Sequence, residues 1–289
     1  MSKTAATAIG FLAIAMWATL AALSVIACQV PPFQLTAITF LIGGFIGVAS
    51  WPFRLGAAQA WRQDLKIWVL GVGGLFSYHA LYFAAIQNAP AIEVSLIAYL
   101  WPMLIVVLSG LLPGEQLRLH HVIGTALGLA GAILVISHGH ADIFSGGLKL
   151  GHFLAFPLPL IWAGYSLLAR RIGKVPTDVI SGFCFATAAL SWIVHLMLEP
   201  TIWPSDPLAW ISIIALGIFP IGLAFYAWDY GLKRGDIFVL GAVSYLSPLL
   251  STLLLIATGL ADYHWSVGLA CLFITFGAVI AAKDTFKRV

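Results

Sequence analysis

The sequence predicts an all-α integral membrane protein of ten transmembrane helices, arranged as two inverted five-helix repeats around a central cavity with both termini cytoplasmic. Three observations carry this expectation: an apolar composition, a one-sided distribution of basic residues, and an internal repeat. Of the 289 residues, 61% are hydrophobic and 9% charged, with a mean hydropathy of +1.01. Soluble domains carry roughly 25% charged residues. So apolar a chain cannot cover its own surface with polar groups, and lipid is its main solvent. The net charge of +3, spread along the chain, leaves no nucleic-acid footprint.

Apolar runs between polar or Gly/Pro punctuation cover approximately 5–28, 33–51, 66–88, 91–112, 119–137, 146–169, 176–198, 208–232, 236–260 and 264–283. Most approach the roughly 20 residues that a hydrocarbon core about 30 Å thick requires. Helix is the expected form, because lipid offers no other way to satisfy the backbone of an apolar chain of this kind. The first run starts almost at Met1 and is long enough to span, so it reads as a helix and not as a cleaved signal. The turn near 88–91 is drawn from Asn88 and Pro90.

The fourteen Lys and Arg residues test the count. With a cytoplasmic N-terminus, Lys3, Arg54, Arg62, Lys66, Arg118, Arg170, Arg171, Lys174, Lys233, Arg234, Lys283, Lys287 and Arg288 fall on one side. Lys149 alone falls on the other. That split follows the positive-inside rule, and a wrong span count would have scrambled it.

A shift of 146 residues lays 70–134 over 216–280 without gaps. Leu70-Gly71 meets Leu216-Gly217, Tyr82 meets Trp228, Tyr99-Leu100-x-Pro102 meets Tyr245-Leu246-x-Pro248, and Gly131-Ala132 meets Gly277-Ala278. Trp17-Ala18 meets Trp162-Ala163 with the shift one residue smaller. Two repeats follow, 1–145 and 146–289. Each holds five spans, an odd number, so the second enters the membrane inverted. Inverted repeats are a transporter signature, because mirrored conformations open one site to opposite sides.

No Lys, Arg, Asp or Glu lies near the middle of a predicted span. Intramembrane charge is expensive and usually functional, so phosphorylated cargo, which wants fixed cations, is disfavoured. Glu93 reads as a solvated helix-start residue suited to the helix dipole. Asp229 has Lys233 at i+4, the order for an ion pair near the inner end of its span, so Asp229→Asn is expected to leave transport largely intact. His195 reads as interfacial. Cys28, Cys184 and Cys271 lie in or beside apolar runs and read as small hydrophobes. His138-Gly-His140 with Asp142 resembles a metal-binding scrap but lacks further ligands, and neither a metal nor a cofactor is expected. Gly43-x-x-x-Gly47 and Gly124-x-x-x-Gly128 read as close-approach faces.

Trp51, Trp68, Trp210 and Trp265 fit the interfacial aromatic belt. Aromatics nearer mid-membrane do not. Tyr78 and Tyr82, four apart, share a helix face with His79 beside them. Tyr99 precedes Trp101 and Pro102, while Trp17 and Trp162 are central in the first and sixth spans, and Tyr226 and Trp228 lie in the eighth. Either they pack helices together or they line a cavity of apolar faces and a few hydroxyls. His79 is open to a structural hydrogen bond or to a substrate or proton contact. Pro102 and Pro248 occupy matching positions, cannot donate to the carbonyl four residues earlier, and read as hinges or helix breaks.

These features resemble the drug/metabolite transporter superfamily along the whole chain: ten spans, inverted halves, a central Trp opening each half, and the paired Tyr-Leu-x-Pro segments. Tyr78-His79 and Tyr99-Leu100-Trp101-Pro102 are similar to the YddG-type aromatic amino-acid exporters of the bacterial inner membrane. The resemblance implies alternating access and export of small neutral or aromatic amino acids, with Trp17, Tyr78, His79, Tyr82, Tyr99, Trp101 and Trp162 contacting substrate. It also implies a multi-pass protein of the inner membrane, with lipid and a small molecule as partners and no stated oligomeric state, a monomer sufficing. Export of small drugs or other metabolites is the alternative, and an intramembrane enzyme, which needs a convergent nucleophile and base, is the minor one.

Overall fold

The computed structural model describes every residue except 1, 28, 54–55, 90, 138, 142–146, 258, 260–261, 282 and 284–289. Cys28, Arg54, Pro90, His138, Asp142, Lys287, Arg288 and the junction at 145/146 therefore lie outside the described residues. The regular structure described is all helical. In order come α1 (Lys3–Trp17), α2 (Leu20–Ile26), α3 (Pro32–Ala49), α4 (Leu65–Asn88), α5 (Ala91–Ala98), α6 (Trp101–Ser109) and α7 (Leu119–Ile136). Then follow α8 (Leu150–Ala155), α9 (Pro157–Arg171), α10 (Val179–Leu198), α11 (Pro207–Ile218), a π-helical turn (Phe219–Leu223), α12 (Ala224–Arg234), α13 (Ile237–Val243), α14 (Leu246–Ala257) and α15 (Trp265–Ala281). Local chemistry sets the starts. Pro32, Pro157 and Pro207 open α3, α9 and α11, where a missing N–H is harmless. Ser2, Asp206 and Asp236 accept backbone N–H groups as N-caps of α1, α11 and α13.

Six helices among the described residues are long and apolar enough to cross a membrane: Lys3–Ser24, Pro32–Ala49, Leu150–Arg171, Val179–Leu198, Pro207–Arg234 and Ile237–Leu254. Shorter apolar helices span Leu96–Ser109, Leu119–Leu134 and Trp265–Ala281, and α4 runs for 24 residues.

Runs that read as single spans are interrupted. α5 gives way to α6 at Tyr99–Leu100, and α13 to α14 at Ser244–Tyr245. Pro102 and Pro248 sit in the first turn after each break, where a proline is tolerated. Pro157 marks the junction of α8 and α9, and Pro220 lies inside the π turn. α1 and α2 part without a proline. There Thr19 Oγ1 donates to the Met16 carbonyl at 2.8 Å, a back-bond that bends helices.

The tightest helix pairs are α7 with α15, α3 with α10, α1 with α12, and α4 with α8. Gly124 and Gly277 explain the first: a Cβ on either would run into the other's carbonyl oxygen, so only glycine permits that approach. Gly43 also packs closely on Gly222 of the π turn, where an added Cβ would stand 3.2 Å from the Gly222 Cα.

Candidate functional site

The interior of the bundle holds a continuous aromatic assembly. Trp17, at the end of α1, stands 5.6 Å from Trp162 of α9, 6.3 Å from Trp101 of α6 and 5.2 Å from Trp228 of α12, between ring centroids. Trp101 closes the group, 6.3 Å from Trp162 and 5.6 Å from Trp228. Most of these contacts are edge-to-face, the arrangement favoured by ring quadrupoles. Tyr78 of α4 lies 5.3 Å from Trp162 and stacks on Tyr82 at 6.2 Å. His79 stands 5.5 Å from Tyr78 and 4.9 Å from Phe40. Sequence positions as distant as 17, 78, 101 and 162 thus converge.

The members are not equally enclosed. Trp101, Trp162 and Trp228 are buried. Tyr78, His79 and Tyr99 are half-buried. Trp17 and Tyr82 are half-buried as well. The tryptophans form a wall, and the tyrosines and His79 offer its polar groups.

Breaks in helices α5–α6 and α11–α12 help to place these residues. The Trp17 indole N–H donates to the Pro220 carbonyl at 3.0 Å. A π turn loosens the regular ladder, and this indole satisfies an oxygen there. Trp17 is therefore a surface for stacking and not a donor to a ligand. Tyr99 sits in the α5–α6 break and engages the hydroxyl of Ser247, beside the α13–α14 break. Tyr245, in that second break, accepts the Met103 N–H of α6 at 3.2 Å. Each break is thus braced by a tyrosine from the other. The Nδ1–H of His79 donates to the Leu75 carbonyl at 2.7 Å, which makes Nε2 the acceptor nitrogen of the ring. No Asp, Glu, Lys or Arg belongs to the aromatic assembly among the described residues. Chemically it provides faces, hydroxyls and an imidazole.

Trp228, Phe225 and Tyr165 join the assembly although they do not stand among the substrate-contacting residues drawn from the sequence. Spacing held the signal: Tyr165 is three residues after Trp162, and Phe225 three before Trp228, on shared helix faces.

One expectation is corrected. Glu93 is buried, not solvated, because His152 of α8 hydrogen-bonds its carboxylate. His195, in the last turn of α10, is fully buried within the protein. Its Nδ1 pairs with Glu199 at 2.9 Å and its Nε2 with Thr201 at 2.9 Å. Glu199 in turn accepts the N–H groups of Phe33 and Gln34 at the start of α3. The Asp229–Lys233 pair forms as expected, at 2.8 Å, although it is almost wholly enclosed.

Comparison with known proteins agrees with this architecture. Residues 4–137 and again 149–282 match the EamA-like transporter family. A protein of Ancylobacter novellus named aromatic amino acid exporter YddG is 46% identical over 282 residues, covering 97% of this chain and 98% of its own. Its namesake in Escherichia coli is 27% identical over 293 residues, covering 97% of each chain. A crystal structure of a protein 46% identical superposes with a TM-score of 0.91 over 98% of this chain and 99% of the other. The chain belongs to the EamA-like transporter family, and it is a membrane transporter, not an enzyme.

Proposed function

We propose that this transporter exports aromatic and small neutral amino acids across the bacterial inner membrane by alternating access. The observation that carries it is the uncharged aromatic assembly inside the bundle. Ring faces stack on an apolar side chain and attract an ammonium by roughly 1–2 kcal/mol when desolvated. Hydroxyls of Tyr78, Tyr82 and Tyr99, with His79 Nε2, take the head group, while Trp17, Trp101 and Trp162 wall the hollow. The names of the relatives from Ancylobacter novellus and Escherichia coli support an aromatic cargo.

The wider architecture belongs to the same proposal: ten spans, two inverted five-helix repeats (1–145 and 146–289), both termini cytoplasmic, and Pro102 and Pro248 as hinges. The double family match supports the repeats. So does the helix pairing, in which α3 with α10 and α7 with α15 join helices at equivalent positions, and α1–α12 is mirrored by the α8–α9 contact with α4. Single cysteines at Arg62 and Arg171 should react with impermeant reagents from the cytoplasm, and one at Ala141 from outside. Labelling of Arg62 and Ala141 from one side would overturn the topology.

Function is tested by initial rates of labelled phenylalanine, tryptophan and alanine transport in liposomes holding purified protein. Tyr78→Ala and Tyr99→Ala should lower flux without loss of folded protein. The Phe variants should hurt less if stacking dominates and equally if the hydroxyl holds the head group. Absence of amino-acid transport, or wild-type rates from Ala at Tyr78, Tyr82, Tyr99 and Trp101 alike, would overturn the assignment.

A further inference from the structure

Three helices that carry tryptophans of the aromatic assembly finish near one another, and one arginine joins them there. Arg170 lies in the last turn of α9, eight residues and about 12 Å beyond Trp162. Its Nη1 donates to the Leu232 carbonyl and, at 3.1 Å, to that of Gly235, at the end of the helix that carries Trp228. Its Nη2 donates to Glu115, in the connection that follows α6 and Trp101. Between the tryptophans and this tie, the Trp228 indole N–H donates to the Ser166 hydroxyl at 3.3 Å, and both side chains are buried. α9 and α12 thus meet beside the tryptophans and again at Arg170.

Capping alone does not explain the choice of residue. Carbonyls at a helix end accept from any nearby cation, and α12 carries Lys233 and Arg234 in its own last turn. Lys233 instead bonds Asp229 and the Val175 carbonyl, and Arg234 lies over the Tyr230 ring. The Leu232 and Gly235 carbonyls are left to a residue of another helix, held by a carboxylate from a third segment. The two halves of the chain also differ at this point. The shift that relates Trp17 to Trp162 lays Arg170 on Val25, and the shift of 146 lays Glu115 on Ala261, so neither charge has a counterpart. Packing differs in the same way. α9 packs on α12, but no comparable approach of α1 or α2 to α4, the equivalent helices, occurs among the described residues.

Two inverted halves exchange conformations when access switches, so equal ties at both ends favour neither state. A preference for one state must come from residues that the halves do not share. We propose that Arg170 is the latch that closes the end of the bundle where α9 finishes, with Glu115 as the group that positions it. The inference rests on alternating access by inverted repeats and names the residue that sets its resting side. A guanidinium suits the task, because its planar fork reaches a carboxylate and the carbonyls together. Water is also at hand. Arg170 and Glu115 each keep 16% of the side chain exposed, so both charges are rehydrated as the latch parts.

Ser166→Cys, in protein otherwise free of cysteine, supplies the reporter, because a thiol there is buried until α9 and α12 part. The measurement is its rate of reaction with a small impermeant thiol reagent, applied to each side in membrane vesicles of either orientation. The latch side is the one from which a cysteine at Arg171 reacts. Arg170→Gln and Glu115→Gln should each raise the rate from that side by at least about tenfold, the effect of losing a charge-assisted bond, and should not raise it from the other. Arg170→Lys keeps the charge without the fork, should give a smaller rise, and carries the test if the glutamine variant does not fold. Transport gives a second reading. In Arg170→Gln the half-saturating concentration of phenylalanine should fall on the latch side and rise on the other. Labelling at the wild-type rate in the folded variants, or a rise that is equal from both sides, would mean that Arg170 only caps α12, and the latch would be wrong. Labelling needs no cargo, so it decides the latch even if no amino acid is carried, in which case the exporter function alone fails.

Discussion

Two ties join separate parts of the bundle and solve one problem with different chemistry. At the first tie, Lys3 and Thr7 of α1 hold Asp236, the cap of α13, at 2.7 and 2.8 Å. At the other tie, His152 of α8 holds Glu93 of α5. Thr7 and His152 are 145 residues apart, the offset that also relates Trp17 to Trp162. The first tie is open, with 47% of the Lys3 side chain and 20% of Asp236 exposed. The second is closed, with 0% of His152 and 9% of Glu93 exposed. Lys149 N–H donates to His152 Nδ1 at 2.7 Å, so the ring proton is on Nε2 and points at the carboxylate. A solvated ammonium serves at the open tie, and a fixed imidazole with its proton on Nε2 serves at the closed one. Equivalent positions in sequence therefore do not imply equivalent energetics.

The difference breaks most visibly at His152. His152→Ala strips the donor from a buried carboxylate and should destabilise the protein by about 3–5 kcal/mol, read as a fall in thermal midpoint in detergent. Glu93→Gln/His152→Ala removes the charge as well and should recover part of that loss. A His152→Ala protein that melts with wild type would mean the tie is as open as the first. Next in size is Glu199→Ala. It removes the acceptor for two N–H groups at the start of α3 and the partner of His195, at a cost of about 1–2 kcal/mol. Glu199→Gln keeps an acceptor oxygen and should lose less in the same melt.

What the sequence made legible follows from the range over which each feature is decided. Helices, the low central charge and the Trp17–Trp162 correspondence are properties of local composition or of the internal repeat, and both are visible in one dimension. Pro102 and Pro248 marked breaks for the same reason, since a proline's missing N–H acts within one turn. The fates of Glu93 and His195 were not legible. Glu93 meets its partner 59 residues away, and Glu199, which holds His195, reaches Phe33 166 residues away. Such pairs are set by which helix faces meet, and nothing in the local pattern of either residue records it. The aromatic assembly falls between these cases. Spacing along α9 and α12 put Tyr165 on the face of Trp162 and Phe225 on the face of Trp228, but the meeting of Phe225 with Trp17 is set by how α1 and α12 pack.

The smallest effect sharpens the contrast most. Lys3→Ala removes a partly solvated partner and should cost less than about 1 kcal/mol, far below His152→Ala. Its pH dependence gives the sign. Burial alone would raise the Asp236 carboxyl, but the hydrogen bond and charge of Lys3, with the N–H groups of Val239 and Phe238, outweigh it and hold the carboxyl below its ordinary value. A depressed carboxyl contributes stability above its unfolded value of about 3.9, and the contribution is lost as pH falls through the folded value. The difference in thermal midpoint between wild type and Lys3→Ala should therefore stay flat from pH 8 to pH 5 and close only in stronger acid. Asp236→Asn, which cannot titrate at that position, should make Lys3→Ala silent at every pH. A difference that already vanishes by pH 6 would mean that Asp236 is not the group holding Lys3, and the first tie would then lose its claim to be the solvated counterpart of the second.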